Sequence, residues 1–162
     1  MNTIEYAVKV TESTDPRLVG KHDIEWKLNG KLHREDGPAI EWASGATEWW
    51  KHGKLHREDG PARTWPDGSV NYFMFGERHR EDGPAVVIPN ILQEWWVNGK
   101  KHREDGPAVE NEDGTVEWWL DGDQLTNAAF NDRMASKKKK IVELSLSEIC
   151  KRLGYTVSII RG

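Results

Sequence analysis

The heptapeptide HREDGPA occurs four times in this sequence, beginning at His33, His56, His79 and His102. Each copy places an imidazole, a guanidinium and two carboxylates within four consecutive residues. These are groups that proteins use for general acid–base catalysis and for metal binding. Two interpretations are therefore open: the segment is an active or metal site in four copies, or it is a structural segment that spaces something else.

The spacing of the copies argues against a shared metal ion. Neighbouring β-strands lie about 4.8 Å apart, so equivalent residues two strands away are separated by about 10 Å. Zinc ligands lie about 2.0–2.3 Å from the ion and hence within about 4 Å of one another. Inside one copy, His79 and Glu81 would share a face of the strand, but two ligands do not close a site. We expect no metal and no cofactor.

The elements that must position these groups form a tandem repeat. The histidines are 23 residues apart without insertion, and the register extends over residues 19–124. Glycines recur in the same register at Gly30, Gly53, Gly76, Gly99 and Gly122. Two adjacent aromatic columns also recur, one at Trp26, Trp49, Tyr72, Trp95 and Trp118, the next at Trp50, Phe73, Trp96 and Trp119. Such strict spacing predicts a repeat architecture.

Each repeat is predicted to contain two β-strands. Val70, Tyr72 and Met74 alternate with other residues at the period of a strand. The dipeptides Asn98-Gly99 and Asp113-Gly114 favour the tight turns with positive φ that reverse a chain. We expect one short aromatic strand and one longer strand that carries HREDGPA and bends at Asp-Gly-Pro. The predicted fold is mainly β, a single-layer antiparallel meander of 23-residue hairpin repeats with a small C-terminal α+β cap.

This architecture allows little catalysis. A histidine and a carboxylate act on a substrate only in a concave place that excludes water, which one layer of sheet does not provide at each repeat. We expect no catalytic residue and a non-enzymatic protein. HREDGPA is interpreted as a spacer whose arginines pair with carboxylates and whose imidazoles stack on the aromatic column. His79 would lie across from Tyr72 if Phe75-Gly76 is a two-residue turn.

One stretch carries a resemblance to a known family. Residues 97–102 (Val-Asn-Gly-Lys-Lys-His), followed by residues 113–118 (Asp-Gly-Thr-Val-Glu-Trp), resemble the membrane occupation and recognition nexus (MORN) repeat. HREDGPA stands where ordinary members have a shorter glycine-x-glycine stretch, so the chain is similar to the variant branch. The resemblance implies single-layer β-hairpin ribbons used as scaffolds or protein-binding surfaces. It also implies a setting among bacterial antitoxin-like or bacteriophage proteins.

The domain organisation follows from the repeat and from what flanks it. Residues 1–18 are predicted as an N-terminal capping strand and turn, with the strand over residues 4–10, and residues 19–125 as the tandem repeats. Residues 126–140 are predicted as a short helix, N-capped by Thr126, and a lysine-rich linker. Residues 141–162 are predicted as a β-α-β element, in which Ser145 and Glu148 form a capping box. This element could mediate a homodimer.

Composition excludes several classes of protein. The 162 residues carry a formal net charge of −4, which does not favour nucleic-acid binding. The single cysteine, Cys150, cannot form an internal disulfide. The sequence shows neither a signal peptide nor a long apolar run, so we expect no membrane span and a cytoplasmic location.

Side-chain alternation divides the aromatic residues between two faces of the sheet. The predicted core face contains Ile24, Trp26, Leu28, Val70, Tyr72, Met74, Trp95, Val97, Val116, Trp118 and Leu120. The other face presents the aromatic row with acidic neighbours, and we predict that it binds a partner: Trp50, Phe73, Trp96, Trp119, Glu48, Glu94 and Glu117. Tryptophans are frequent hot spots of interfaces, and glutamates around them would favour a basic partner segment. Burial of this row inside the protein is the alternative.

The leading functional hypothesis is a protein-binding repeat module, encoded by a bacteriophage or mobile element, that binds and inhibits a host protein such as a defence factor or toxin. A second hypothesis is binding of a small nucleotide, with phosphates held by Arg34, Arg57, Arg80 and Arg103 and the base stacked on aromatic residues. A third is a purely structural, self-assembling scaffold.

Overall fold

The computed structural model describes residues 5–153, and its architecture is mainly β, as predicted. The chain divides between Gln124 and Leu125 into two compact units. In its described residues, the first unit contains eighteen strands and a short 3₁₀ helix, Pro16–Leu18, although the last strand extends one residue beyond the boundary. The described part of the second unit contains the helix α1 (Asn127–Leu153). The strands are β1 (Tyr6–Glu12), β2 (His22–Leu28), β3 (Lys31–Leu32), β4 (Ile40–Glu41), β5 (Thr47–Glu48), β6 (Trp50–Lys51), β7 (Lys54–Leu55), β8 (Arg63–Thr64), β9 (Val70–Asn71), β10 (Phe73–Met74), β11 (Glu77–Arg78), β12 (Val86–Ile88), β13 (Leu92–Glu94), β14 (Trp96–Val97), β15 (Lys100–Lys101), β16 (Val109–Asn111), β17 (Val116–Leu120) and β18 (Asp123–Leu125).

One antiparallel sheet of twelve strands runs through the repeats, in the order β1-β2-β4-β5-β8-β9-β12-β13-β16-β17-β18, with β3 paired to β2. Three two-stranded hairpins stand beside it: β6–β7, β10–β11 and β14–β15. We number the five repeats in chain order by the aromatic column that begins at Trp26, so Tyr72 belongs to the third. In the third repeat the chain leaves the main sheet after β9 and enters the hairpin at β10, with Tyr72 at the junction. Tyr72 still bonds to neighbouring backbone, since its N–H donates to the carbonyl of Ala85 and its carbonyl accepts from His79 N.

The predicted long strand carrying HREDGPA is wrong. Each copy is an irregular segment that leads from a small hairpin back to the main sheet. Its backbone forms hydrogen bonds to the next repeat instead: Arg57 N donates to Phe73 O, and Arg80 N donates to Trp96 O. Proline in the motif has no N–H to give to a strand ladder, which fits an irregular path.

The predicted hairpin turns are confirmed. Phe75 and Gly76 have φ values of 49° and 92°, and Phe73 lies opposite Arg78, so the two residues form a tight turn with left-handed backbone. Asn98-Gly99 and Asp121-Gly122 do the same. The turn in which Ile91 replaces a glycine is altered, because Asn90 takes the positive φ of 56°.

The core consists mainly of small residues and differs from the predicted core face. The alanines that end HREDGPA are fully buried, at Ala39, Ala62, Ala85 and Ala108. Of the eleven residues predicted as core, only Leu120 is buried, and Val116 is exposed. A single layer offers no second sheet to cover large side chains, so the aromatic residues stay partly exposed and the closely packed positions take alanine.

Strand register defines two faces of the main sheet. Glu48 lies opposite Arg63, Arg63 opposite Asn71, Asn71 opposite Val86, and Val86 opposite Glu94. Directly opposed residues point to the same side, so this column and the row of Trp50, Phe73, Trp96 and Trp119 form what we call the Glu–Trp face. The opposite side, with Trp26, Trp49, Tyr72, Trp95 and the HREDGPA segments, is the loop face.

The N-terminal strand lies two residues later than predicted. It covers Tyr6–Glu12 rather than residues 4–10, and it pairs with β2 so that Val8 lies opposite Trp26. Every residue of β1 is exposed, including Tyr6 at 58% and Val10 at 59%.

The predicted C-terminal organisation is wrong within the described residues. The lysine-rich linker and the strand expected at residues 141–144 are both part of the continuous helix α1, so Ser145 lies in its interior and caps nothing. Lysine is a good helix former, and short apolar runs fit a helix as well as a strand. Thr126 does cap the helix, since Ala129 N donates to its Oγ1 at 3.2 Å. The strand predicted over residues 156–160 lies outside the described part.

Apolar residues of α1 face solvent, among them Val142, Leu146, Ile149 and Leu153. Self-association through this element stays a prediction. Over residues 5–153, no helix has the combination of length and apolar character required to cross a membrane.

Candidate functional site

The histidines of HREDGPA hold the repeats in register. Each imidazole Nδ1 accepts a hydrogen bond from the backbone N–H of a turn residue 19 positions later, for example from Phe75 to His56 at 3.3 Å and from Asn98 to His79 at 3.2 Å. The ring of His56 stacks on Phe75 with centroids 4.1 Å apart, and that of His33 contacts His52 at 4.4 Å with the two rings tilted by 32°. These two imidazoles therefore contact rings of the next turn, not the aromatic column as predicted.

The arginines cover the aromatic column in their place. The guanidinium carbons of Arg34, Arg57, Arg80 and Arg103 lie 4.4, 4.0, 4.2 and 3.9 Å from the ring centroids of Trp26, Trp49, Tyr72 and Trp95. Each guanidinium also donates to the proline carbonyl of its own motif, as Arg80 does to Pro84 at 3.3 Å. A Cβ added to Gly83 would lie 3.0 Å from Cζ of Arg80, so the glycine makes room for the stacked group.

The aspartate of the motif completes this arrangement. Arg57, Arg80 and Arg103 donate through Nε to Asp59, Asp82 and Asp105 at 2.8, 2.7 and 2.8 Å. These hydrogen bonds lower the pKa of the three aspartates below the usual value. The four arginines of the nucleotide hypothesis thus have internal partners, an arrangement that favours a structural role.

Within the described part of the chain, the side chains of the motif do not converge on one point in the way that acid–base catalysis or metal binding would require. His79 Nε2 lies 3.8 Å from Glu81 Oε1, so the pair shares a face as expected, but Nδ1 is already engaged by the next repeat. Among residues 5–153, histidine, cysteine and acidic side chains form no group of three that could hold a metal ion. Open grooves of about 660 and 520 Å³ do separate neighbouring motifs, with Trp95 or Tyr72 in their lining.

The Glu–Trp face brings together the residues predicted to bind a partner. The indole N–H of Trp50 donates to Glu48 at 2.8 Å, that of Trp96 to Glu94 at 2.9 Å, and that of Trp119 to Glu117 at 2.7 Å. Trp50, Phe73, Trp96 and Trp119 are all partly exposed. The indoles are fixed by these bonds, and their rings form a row along the sheet.

Sequence reasoning missed the cations of this face. Arg63 Nε lies 3.1 Å from Glu48, and Lys101 Nζ lies 3.2 Å from Glu94 and 3.6 Å from Glu117. Lys101 also lies over the rings of Trp96 and Trp119, at 5.7 and 5.2 Å. The glutamates are therefore counter-ions of the protein's own cations as well as acceptors for the indoles. The repeat register contained the signal, since one column contains Leu32, Leu55, Arg78 and Lys101.

The third repeat departs from this pattern. Asn71 replaces the glutamate, Phe73 replaces the tryptophan, and Arg78 stands opposite Phe73. The Arg78 guanidinium carbon lies 5.1 Å from the ring centroid of Trp96. A shallow cavity of about 370 Å³ opens beside these residues.

In comparisons with known proteins, no family model, no curated protein and no solved structure matches the chain.

Proposed function

We propose that the protein is a non-enzymatic protein-binding repeat module whose Glu–Trp face contacts the partner. The observation that carries this proposal is the row of partly exposed aromatic rings whose indole N–H groups are already bonded to Glu48, Glu94 and Glu117. The rings are held before binding, so little side-chain entropy is lost on association. Aromatic groups of this kind dominate the binding energy of many interfaces.

The ion pairs of the face refine the expected partner. Because Glu48 and Glu94 neutralise Arg63 and Lys101, the row does not present a surplus of free carboxylates. Recognition would rest on apolar contact with the rings and on shape, rather than on a basic segment drawn to glutamates. The resemblance to variant MORN repeats supports a host protein as the partner of a bacteriophage or mobile-element protein acting in the cytoplasm, with inhibition as the outcome.

A capture experiment with matched variants tests the proposal. Immobilised wild-type protein, Trp96→Ala and Tyr6→Ala are compared for proteins retained from a bacterial lysate, after each variant has been shown to be folded. Tyr6 is 58% exposed and lies in β1 on the side of Trp26, so it controls for loss of an exposed aromatic residue away from the row. We expect a retained host protein whose affinity falls about 30-fold for Trp96→Ala, the size of a hot-spot loss.

Equal retention by all three proteins would contradict the proposal. The proposal would also be contradicted if the single variants Trp96→Ala and Trp119→Ala were both unfolded, because the row would then be part of the core. Specific nucleotide binding that is lost in Arg57→Gln would favour the alternative function on the loop face.

A further inference from the structure

The third repeat interrupts the ion pairing of the Glu–Trp face. In the second, fourth and fifth repeats a glutamate accepts from the following tryptophan and lies beside a cation. At the equivalent position the third repeat has Asn71, which is neutral. A cation is nonetheless present there, because Arg78 takes the place that Lys101 has in the fourth repeat.

Arg78 is left without a counter-ion among residues 5–153. Its guanidinium stacks on Trp96, and its buried Nε has no hydrogen-bond partner among these residues. The two Nη groups are not buried, so a carboxylate from another molecule can reach them and supply the missing charge. Leu55 fills the same position in the preceding repeat, so the architecture does not require a cation here.

Arg78 is one of the residues that line a cavity. Its lining combines an apolar floor of Val86, Ile88 and Leu92 with the ring of Trp65 and the polar groups of Asn71 and Arg78. Two carboxylates also line it, and both are engaged: Asp67 accepts from Ser69 N at 2.8 Å, and Glu94 binds Trp96 and Lys101. The cavity therefore offers an apolar surface together with an unpaired guanidinium and a carboxamide.

We propose that this cavity receives an acidic side chain of the partner protein, flanked by an apolar residue, so that the partner supplies the carboxylate that the third repeat lacks. The inference rests on the proposed function and names the chemistry of the partner at that surface. The carboxylate accepts from the Nη groups of Arg78 and from the amide of Asn71, and the apolar neighbour lies on Ile88 and Leu92. A carboxylate fits better than a doubly charged phosphate, because Asp67 and Glu94 line the same cavity.

The protein supplies its own matched variants for a test. Asn71→Glu restores the carboxylate present in the second, fourth and fifth repeats and is expected to pair with Arg78 internally. Arg78→Leu installs the residue of the second repeat and removes the donor. Both changes place in the third repeat a residue that the fold already accepts at the same position, so both variants are expected to fold.

The probe is the capped peptide acetyl-Leu-Glu-Leu-amide, compared with the same peptide carrying glutamine or lysine in the middle. Binding is followed by nuclear magnetic resonance through the Arg78 Nε–H and Asn71 side-chain amide signals. We expect saturable shifts with the glutamate peptide, an affinity at least about ten-fold weaker with glutamine, and no saturable binding in Asn71→Glu or Arg78→Leu.

Absence of saturable shifts with the glutamate peptide would overturn the inference, as would equal binding of the glutamine or lysine peptide. Undiminished binding by Asn71→Glu would also overturn it. These outcomes leave the proposed function intact if Trp96→Ala still loses its captured protein. If the glutamate peptide binds no better than the glutamine peptide and Trp96→Ala also retains the captured protein, both the inference and the proposed function are rejected.

Discussion

The two faces of the sheet use the same repeat period differently. On the loop face, all four copies of HREDGPA make one set of contacts, in which arginine covers an aromatic ring and histidine holds the next turn. On the Glu–Trp face, the second, fourth and fifth repeats share a glutamate–tryptophan pair, and the first pairs Glu25 with Lys27. Only the third repeat has no glutamate at this position. Uniform contacts are what a repeat array needs to stack, whereas the loss of the carboxylate in one repeat has no such explanation.

The difference changes the meaning of a recurring motif. HREDGPA contains groups that could perform catalysis, yet each of its histidines accepts a hydrogen bond from the next repeat and each of its arginines donates to a proline carbonyl. The exposed rings and the unpaired Arg78 lie on the side with less recurrent sequence. In this protein, the recurrent residues make the contacts that hold the repeats together, whereas the candidate binding residues lie where the repeats differ.

The largest effect is expected from enlarging a loop-face alanine. Ala85 is fully buried, its N–H donates to Glu94 O and its carbonyl accepts from Tyr72 N. Ala85→Leu should lower the free energy of unfolding by about 2–3 kcal/mol because the added carbons have no space. Urea denaturation followed by tryptophan fluorescence measures this. Ala128→Leu on the exposed surface of α1 should change stability by less than about 0.5 kcal/mol, and similar values for the two would refute the role of the alanines.

A smaller effect is expected from removing a stacked guanidinium. Arg80→Gln loses the stack on the Tyr72 ring, which should cost about 1–2 kcal/mol, and also the exposed pair with Asp82. Arg17→Gln is the control: Arg17 pairs with Asp15 but is 86% exposed, so its replacement should leave the free energy of unfolding nearly unchanged. Arg80→Gln should leave peptide binding at Arg78 unchanged. If Arg80→Gln abolished peptide binding, the loop face would also contribute to recognition, and the two faces would not have separate roles.

The smallest effect is a pH dependence of the loop face. The pKa values of Asp59, Asp82 and Asp105 are lowered chiefly by hydrogen bonds from Arg57, Arg80 and Arg103. Their contribution to stability is therefore present above the unfolded-state value of about 3.9 and is lost as pH falls through the lower folded-state values. The melting temperature should fall more steeply below about pH 4 in the wild type than in the triple Asp→Asn variant. Parallel curves would show that these pairs add nothing.

Local sequence signals predicted the period, the antiparallel sheet and the turns, because glycine and asparagine mark positive φ at particular positions. They did not predict which groups meet across repeats. The stacking of Arg80 on Tyr72 and the pairing of Lys101 with Glu94 depend on how far each hairpin is displaced from the main sheet. The helix over residues 141–144 was missed for a different reason, since Ile-Val-Glu-Leu favours neither a strand nor a helix by itself.

The hydrogen bonds from turn N–H groups to histidine Nδ1 span 19 residues each time and join only adjacent repeats. No contact of this set depends on how many repeats the chain has. The length of the array therefore increases by a constant amount with each repeat, equal to two strand spacings of about 4.8 Å each. Inserting or deleting one 23-residue unit outside the third repeat would move the Arg78 cavity by about 10 Å relative to one end of the protein while preserving its immediate surroundings.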